Sequence, residues 1–509
     1  SGTHSQNAVP SFSARFERDR LGLEVERSLP GGVRARWQRD SVGRPVRHEI
    51  WRGTAFHSAK QYSWDVNDRL KRVIDALSGP VEFTHDTLGN LAASTYADGR
   101  VDLRMPDAVG NLFRSQDRSD RKYGPSGQLL EARDARGVTT YEYDAEGNLI
   151  KKITPDGGTW GYHWSRGGLL VKVVRPSGHV VEFGYDALAR RIAKTYRGKT
   201  TRWIWDGNVP LHEWVERSAD AVDEDFSKPQ AADAVAASER ALKALLTGRP
   251  ANGPPDTLTA QQVNAAAEGS PEAPITWLFE PESFAPLAKI VGNERFGIVT
   301  DQLGTPIGMF DALGNEVWAA ETDSYGDLHN LRGARQACPF RWPGQYEDAE
   351  TGLHYNRWRY YDPSAGQYLR QDPIGLAGGL SLYEYVSDVN REVDLFGLKD
   401  KVFWSGGKAA KEAAEAYAKA TGAEILEMTP TGSALEAFTK GMDWADAKPL
   451  WNKASQAFAG AAPSTQKKAI AFIDSRFYRG AASVWEEFEK PILEKKGIFT
   501  EVRDVAPCP

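Results

Sequence analysis

The sequence predicts a mainly β protein made of repeated hairpins, ending in a small α/β domain with a largely parallel sheet. Three observations carry this. A turn-bearing frame recurs at spacings of 17 to 21 residues, aromatic residues, Gly and Pro are abundant, and the text changes character at Leu398.

The frame is seen in HDTLGNL (85–91), PDAVGNL (106–112), GPSGQLL (124–130), YDAEGNL (143–149), WSRGGLL (164–170) and YDALARRI (185–192), with the turn Gly expected at 89, 110, 127, 147 and 167. Asp/Asn-x-x-Gly between alternating stretches such as TTYEYD is a hairpin signal, because Gly accepts the positive φ of a tight turn. Stacked hairpins leave open strand edges unless the sheet curls or is covered, so a wound shell is expected. The 16 Trp, 18 Tyr and 20 Phe, with 48 Gly and 28 Pro, suit many short strands and turns.

Composition also excludes. A net charge of −6 gives no global basic field for nucleic acid or anionic membrane. The two cysteines, Cys338 and Cys508, cannot build a disulfide framework or a Cys-rich zinc module. No apolar run is long enough to span a bilayer, and SGTHSQNAVPSF reads as neither signal sequence nor transit peptide. The pattern WQRDSVGRPV (37–46) is already repeat-like, so the chain is expected to start in mid-pattern after processing or trimming. Residues 217–275, rich in Ala, Pro and acidic side chains without β alternation, read as an exposed insertion with one short helix near 231–246.

The YDxxGNL units resemble the tyrosine-aspartate repeats of RHS proteins, and TWLFEPESFAPLAKI (276–290), FGIVTDQLGTPIGMFDALGNEVWAAETDSYG (296–326) and RYYDPSAGQYLRQDPIGLAGGLSLYEYV (359–386) resemble their core. The likeness spans nearly all of 37–398. It implies a β cocoon over 1–216, the insertion 217–275, a core with an autoproteolysis motif over 276–398, and a toxin domain over 399–509 enclosed by the shell. It further implies an internal aspartyl-type cut, with Asp372 of DPIGL and Asp394 of DLFGL as the carboxylates, Arg359 of RYYDP as their partner, and Leu398–Lys399 as the bond broken. Two close carboxylates share a proton, so one is an acid while the other activates water. Asp-Pro and Gly-Leu are by themselves plain turn signals. Leu395 and Phe396 stand where the family has Pro and another residue.

The tail has 16 Lys and Arg against 15 Asp and Glu, and no His. That removes His-dependent nucleases, His/Cys metal sites and Ser-His-Asp or Cys-His hydrolases. Its pattern reads as strands at KVFWS, AEILEMT, KKAIAFID and IFTEVRDV alternating with helices, an α/β layer whose ligands bind beyond the strands' C-terminal ends. Four Trp lie in this stretch, at 404, 444, 451 and 485, two of the carboxylate motifs being LEMT and SVWEEFE. Trp with Glu and without His suits cleavage of a cationic N-glycoside. Nicotinamide leaves NAD+ as a neutral base, and the sugar cation needs a carboxylate beneath it. Aromatic faces hold such cations at about 0.5–2 kcal/mol each.

Read in order, VFWS (402–405), ILEMTPTG (425–432), PLWNKASQAFAGAA (449–462) and SVWEEFEKPIL (483–493) resemble the ADP-ribosyl cyclase/NAD glycohydrolase family. The resemblance implies that Glu489 faces the ribosyl cation and that Trp404 and Trp451 frame nicotinamide and ribose. It places Glu427 on the nicotinamide amide, Ser405 and Ser455 along the phosphates or ribose, Trp485 near the pyrophosphate, and Glu436 as a second acidic residue. LEMT replaces the family's LEDT, Gly406 a basic residue, and Val484 a Thr.

Together these readings predict an interbacterial RHS toxin, exported without a signal peptide by type VI secretion, whose freed tail consumes NAD+ in the target-cell cytoplasm. NAD+ is a substrate, and neither cofactor nor metal is expected. Expected partners are an immunity protein and a secretion spike or chaperone, with no nucleic acid and no membrane segment. The alternatives are an ADP-ribosyltransferase toxin and a non-enzymatic RHS surface or adhesion protein with a binding tail.

Overall fold

The computed structural model describes residues 12–20, 23–224, 273–281, 283–373, 381–398, 402–405, 468–473 and 499–504. Among them the protein is mainly β. The helical elements are two short 3₁₀ turns, Pro30–Gly32 and Arg335–Ala337. Hydrogen-bonded neighbours follow chain order throughout. Nine strands run from Arg15–Arg18 to Val101–Leu103, sixteen from Arg121–Tyr123 to Leu328–Arg332, and four from Tyr346–Asp348 to Gln367–Tyr368. This is the meander that short hairpin repeats dictate.

The turn chemistry explains why. In YDAEGNL, Asp144 Oδ1 accepts the N–H groups of Glu146 (3.0 Å) and Asn148 (2.8 Å), while the Asn148 amide donates to Asp144 Oδ2 (2.9 Å). Gly147 closes the turn at φ 77°. The same contacts recur at Asp86 with Asn90 and at Asp311 with Asn315. An Asp three places before the positive-φ Gly, with an Asn after it, therefore caps the turn's N–H groups locally. In WSRGGLL the frame sits one residue later than expected. Gly168, not Gly167, carries the positive φ of 73° and returns its N–H to the Ser165 carbonyl. In YDALARRI the position is filled by Ala189, at φ 58°.

The chain divides into two compact units, Ser1–Phe83 with Ser94–Val101 and Val171–His354, and Thr84–Ala93 with Asp102–Leu170 and Tyr355–Pro509. The first unit has a core of Trp277, Phe296, Ile298, Met309, Trp318 and Phe340, and a second around Val33, Ile50, Val299 and Phe310. Buried carboxylates bolt it together. Glu213 accepts from the indoles of Trp203 (3.2 Å) and Trp277 (3.1 Å) and from the Tyr346 hydroxyl (3.0 Å). Burial would raise Glu347, but Arg341 and Arg335 hold it down at about 2.

The second unit buries a tyrosine cluster in which Tyr361, Tyr368 and Tyr385 lie with ring centroids 5.4–6.0 Å apart. Within the tail, Val402–Ser405, Lys468–Ile473 and Phe499–Asp504 form a parallel sheet in that order. Ser405, Ile473 and Asp504 fall in register at its C-terminal end. The strand expected at AEILEMT, the tail's helices and the helix near 231–246 lie outside the described residues. No helix among the described residues is long and apolar enough to cross a membrane.

Candidate active site around Asp394

The strands Arg359–Asp362 and Gln367–Tyr368 pair as a short hairpin, Tyr361 opposite Tyr368. Alternation puts Arg359 and Tyr361 on opposite faces from Tyr360 and Asp362. The chain then returns past this hairpin at 381–398. Asp372 is anchored there by its N–H to the Leu382 carbonyl (2.7 Å).

Arg359 is the centre of the site. Its Nη2 lies 3.1 Å from Asp372 Oδ2 and 2.9 Å from Asp394 Oδ2, which bounds the two carboxylate oxygens at about 6 Å apart. The Arg359 Nε donates to the Gly397 carbonyl (2.6 Å), so one guanidinium grips both acids and the loop. Arg359, Asp372 and Asp394 are 1%, 4% and 3% exposed, a buried net negative charge until one acid takes a proton. Burial works against charge on Arg359, and Asp372, Tyr368 and Asp394 outweigh it, raising its pKa above the ordinary arginine value.

Leu398, itself buried, donates its N–H to Asp394 Oδ1 (2.9 Å). Gly397, at φ 65°, leaves no room for a side chain, since a Cβ would meet the Asn356 carbonyl at 2.6 Å. The Trp358 N–H holds the Phe396 carbonyl (3.2 Å), and the Asn356 amide holds the Asp394 carbonyl (2.7 Å). The loop that ends at Leu398 is therefore fixed against its own carboxylates by backbone bonds as well as by charge.

Of the residues that the sequence singled out, Arg359, Asp372, Asp394 and Leu398 come together here. Lys399 lies outside the described residues, as do Glu427, Glu436, Trp451, Ser455, Trp485 and Glu489. Trp404 and Ser405 occupy the last two positions of the strand Val402–Ser405, opposite Phe472 and Ile473. Sequence reasoning passed over Tyr368 and Asn356. The Tyr368 hydroxyl donates to Asp394 Oδ2 (2.8 Å) and accepts from the Asn356 amide (2.7 Å), and the Arg359 guanidinium stacks 3.7 Å over its ring. Tyr368 lies inside GQYLRQDP, so the stretch was legible but the contact was not. Among the described residues no cluster of His, Cys, Asp or Glu is placed to hold a metal.

Two family models match, the RHS Repeat over residues 64–101 and 123–159 and the RHS protein over residues 298–332. The chain carries RHS repeats and an RHS-protein segment. Its curated relatives include the double-stranded DNA deaminase toxin A of Burkholderia cenocepacia, 29% identical over 76% of this chain and 26% of that protein. The toxin protein Tse5 of Pseudomonas aeruginosa is 31% identical over 64% of this chain and 24% of that one. The probable deoxyribonuclease RhsB of Dickeya dadantii is 26% identical over 76% and 26%. The chain thus spans about a quarter of the length of these relatives.

Proposed function

We propose that this RHS protein is an interbacterial toxin precursor that cuts its own Leu398–Lys399 bond and so frees 399–509 to consume NAD+ in a target cell. The observation that carries the cut is the convergence of Asp372 and Asp394 on one Arg359 nitrogen, with Leu398 N–H on Asp394. A water attacks the Leu398 carbonyl carbon and gives its proton to one carboxylate, while the other acid protonates the carbonyl oxygen. The tetrahedral diol then collapses, the C–N bond breaks, and the captured proton goes to the Lys399 nitrogen. The diol's proton restores the acid. The products are a carboxyl at Leu398 and an amine at Lys399, with one water consumed.

The NAD+ step rests on the tail's motif order, with Glu489 opposing the sugar cation, Trp404 and Trp451 as aromatic walls, and Glu427 on the amide. In support, Trp404 and Ser405 lie at the C-terminal end of a parallel sheet, where ligands of α/β layers bind. The deaminase activity that one relative's name prints does not suit the tail's residues. It has no His and only Cys508, and a zinc deaminase needs a His/Cys or three-Cys metal site. Delivery by type VI secretion and a protecting immunity protein belong to the same reading, as does enclosure of the tail by the repeats.

Intact-mass analysis of the purified wild type is expected to show fragments 1–398 and 399–509, whereas a single 56.2 kDa chain would retire the cut. Incubating the protein with NAD+ is expected to release nicotinamide, and the Glu489→Ala variant is expected not to. Absence of nicotinamide from the wild type removes the NAD+ reading and leaves the cut standing. Label transferred to macromolecules would favour an ADP-ribosyltransferase.

A further inference from the structure

Resting on the self-cleavage reading, we propose that Tyr368 is a positioning residue for the cut: backed by Asn356, its hydroxyl holds the negative charge of the acid pair on Asp394, making Asp394 the base and Asp372 the proton donor. Three donors converge on Asp394. Arg359 Nη2 and the Tyr368 hydroxyl meet Oδ2, and the Leu398 N–H meets Oδ1. Hydrogen bonds to the charged form of a carboxylate favour that form, and they are strongest where water is excluded.

The tyrosine cannot turn away. Its ring is fully buried, stacked under Arg359 and packed edge-on against Tyr361. The Asn356 amide donates to its oxygen, so the hydroxyl proton is left to point at Asp394. The same Asn356 nitrogen ties the Asp394 main-chain carbonyl, so that one side chain sets both the tyrosine's direction and the loop's. With Oδ2 occupied on both sides, Oδ1 is the oxygen turned toward Leu398. A base on that oxygen lies beside the residue whose carbonyl is attacked. The proton of Asp372 then goes to the carbonyl oxygen, and no other proton source is needed.

The test uses the full chain, isolated unfolded in urea before it cuts and diluted into buffers between about pH 5 and 8, with the uncut fraction followed by intact mass. Tyr368→Phe keeps the ring and removes the hydroxyl. Cleavage is expected to slow by about 10- to 100-fold, and the acid limb of its pH profile to move to higher pH, because the pair then gives up its charge more readily. A wild-type rate and profile in Y368F overturns the inference and leaves self-cleavage intact, as does a slowed rate with an unmoved profile, which marks a packing role. A wild type that never cuts overturns the underlying reading instead. Folding is checked by thermal unfolding of Y368F in the uncut D394N background. Should Y368F not fold, Asn356→Ala leaves the tyrosine and removes the donor behind it. A shift in the same direction supports the assignment, and no shift overturns it.

Discussion

The repeat turn at Asp144 and the loop at Asp394 are written in the same five-residue grammar, Asp-x-x-Gly-x. In both, the first Asp takes the N–H of the fifth residue on Oδ1, at 2.8 Å from Asn148 and 2.9 Å from Leu398, and Gly at the fourth place has positive φ. They differ in what the other carboxylate oxygen meets. Asp144 Oδ2 receives the amide of its own turn's Asn148, and the turn is closed on itself. Asp394 Oδ2 receives Arg359 and Tyr368, and the loop's carbonyls go to Asn356, Trp358 and Arg359. A local cap becomes the meeting point of distant segments when burial and a distant cation replace the neighbouring Asn.

Neutralising the two acids in parallel is the sharpest way to break this comparison. Asp394→Asn is expected to leave a single 56.2 kDa chain by mass, whereas Asp144→Asn, which still accepts hydrogen bonds, is expected to cut normally. An uncut D144N would mean that the two loops are not separable. Replacing Arg359 by Lys comes next. One ammonium cannot serve two carboxylates and the Gly397 carbonyl together, so the cut is expected to slow by about 100-fold or more, read by the same mass assay.

Glycine substitution gives a smaller effect. Gly397→Ala meets the Asn356 carbonyl in addition to a backbone cost of about 1–2 kcal/mol, and is expected to slow cutting measurably. Gly99→Ala, in a repeat turn with open space around it, is expected to lower unfolding stability by about 1 kcal/mol and leave cutting alone.

A further test concerns acid. Burial lowers His48, stacked on Trp37, to about 3 and His354 to about 4. Their folded pKa values lie below the unfolded one, so the unfolded chain binds more protons between. Stability is therefore whole above about pH 6.5 and falls as pH drops toward the folded values, by at most about 1.4 kcal/mol per unit for each His. Urea unfolding from pH 7 to 4 should show this slope, and His48→Gln should flatten it. The same curve marks the window in which a pH profile of cutting reports chemistry and not unfolding.

The hairpins were legible because their signal is local: an Asp, a Gly three places on and alternation around them fix a turn without tertiary help. Register was less legible where two glycines adjoin, since only the ladder tells that Gly168 takes the positive φ. Arg359, Asp372 and Asp394 could be named only through resemblance, because Asp-Pro and Gly-Leu are ordinary turn signals. Tyr368 and Asn356 were hidden for a different reason. Their contacts with Asp394 bridge 26 and 38 residues, and nothing periodic announces them.

The strand Val209–Arg217 pairs directly with Ile275–Phe279, His212 opposite Thr276 and Glu213 opposite Ile275, although 57 residues separate the two strands. The ladder takes no notice of that length, so the pairing is written in the two strands themselves. A permuted chain opened between them is expected still to set His212 opposite Thr276.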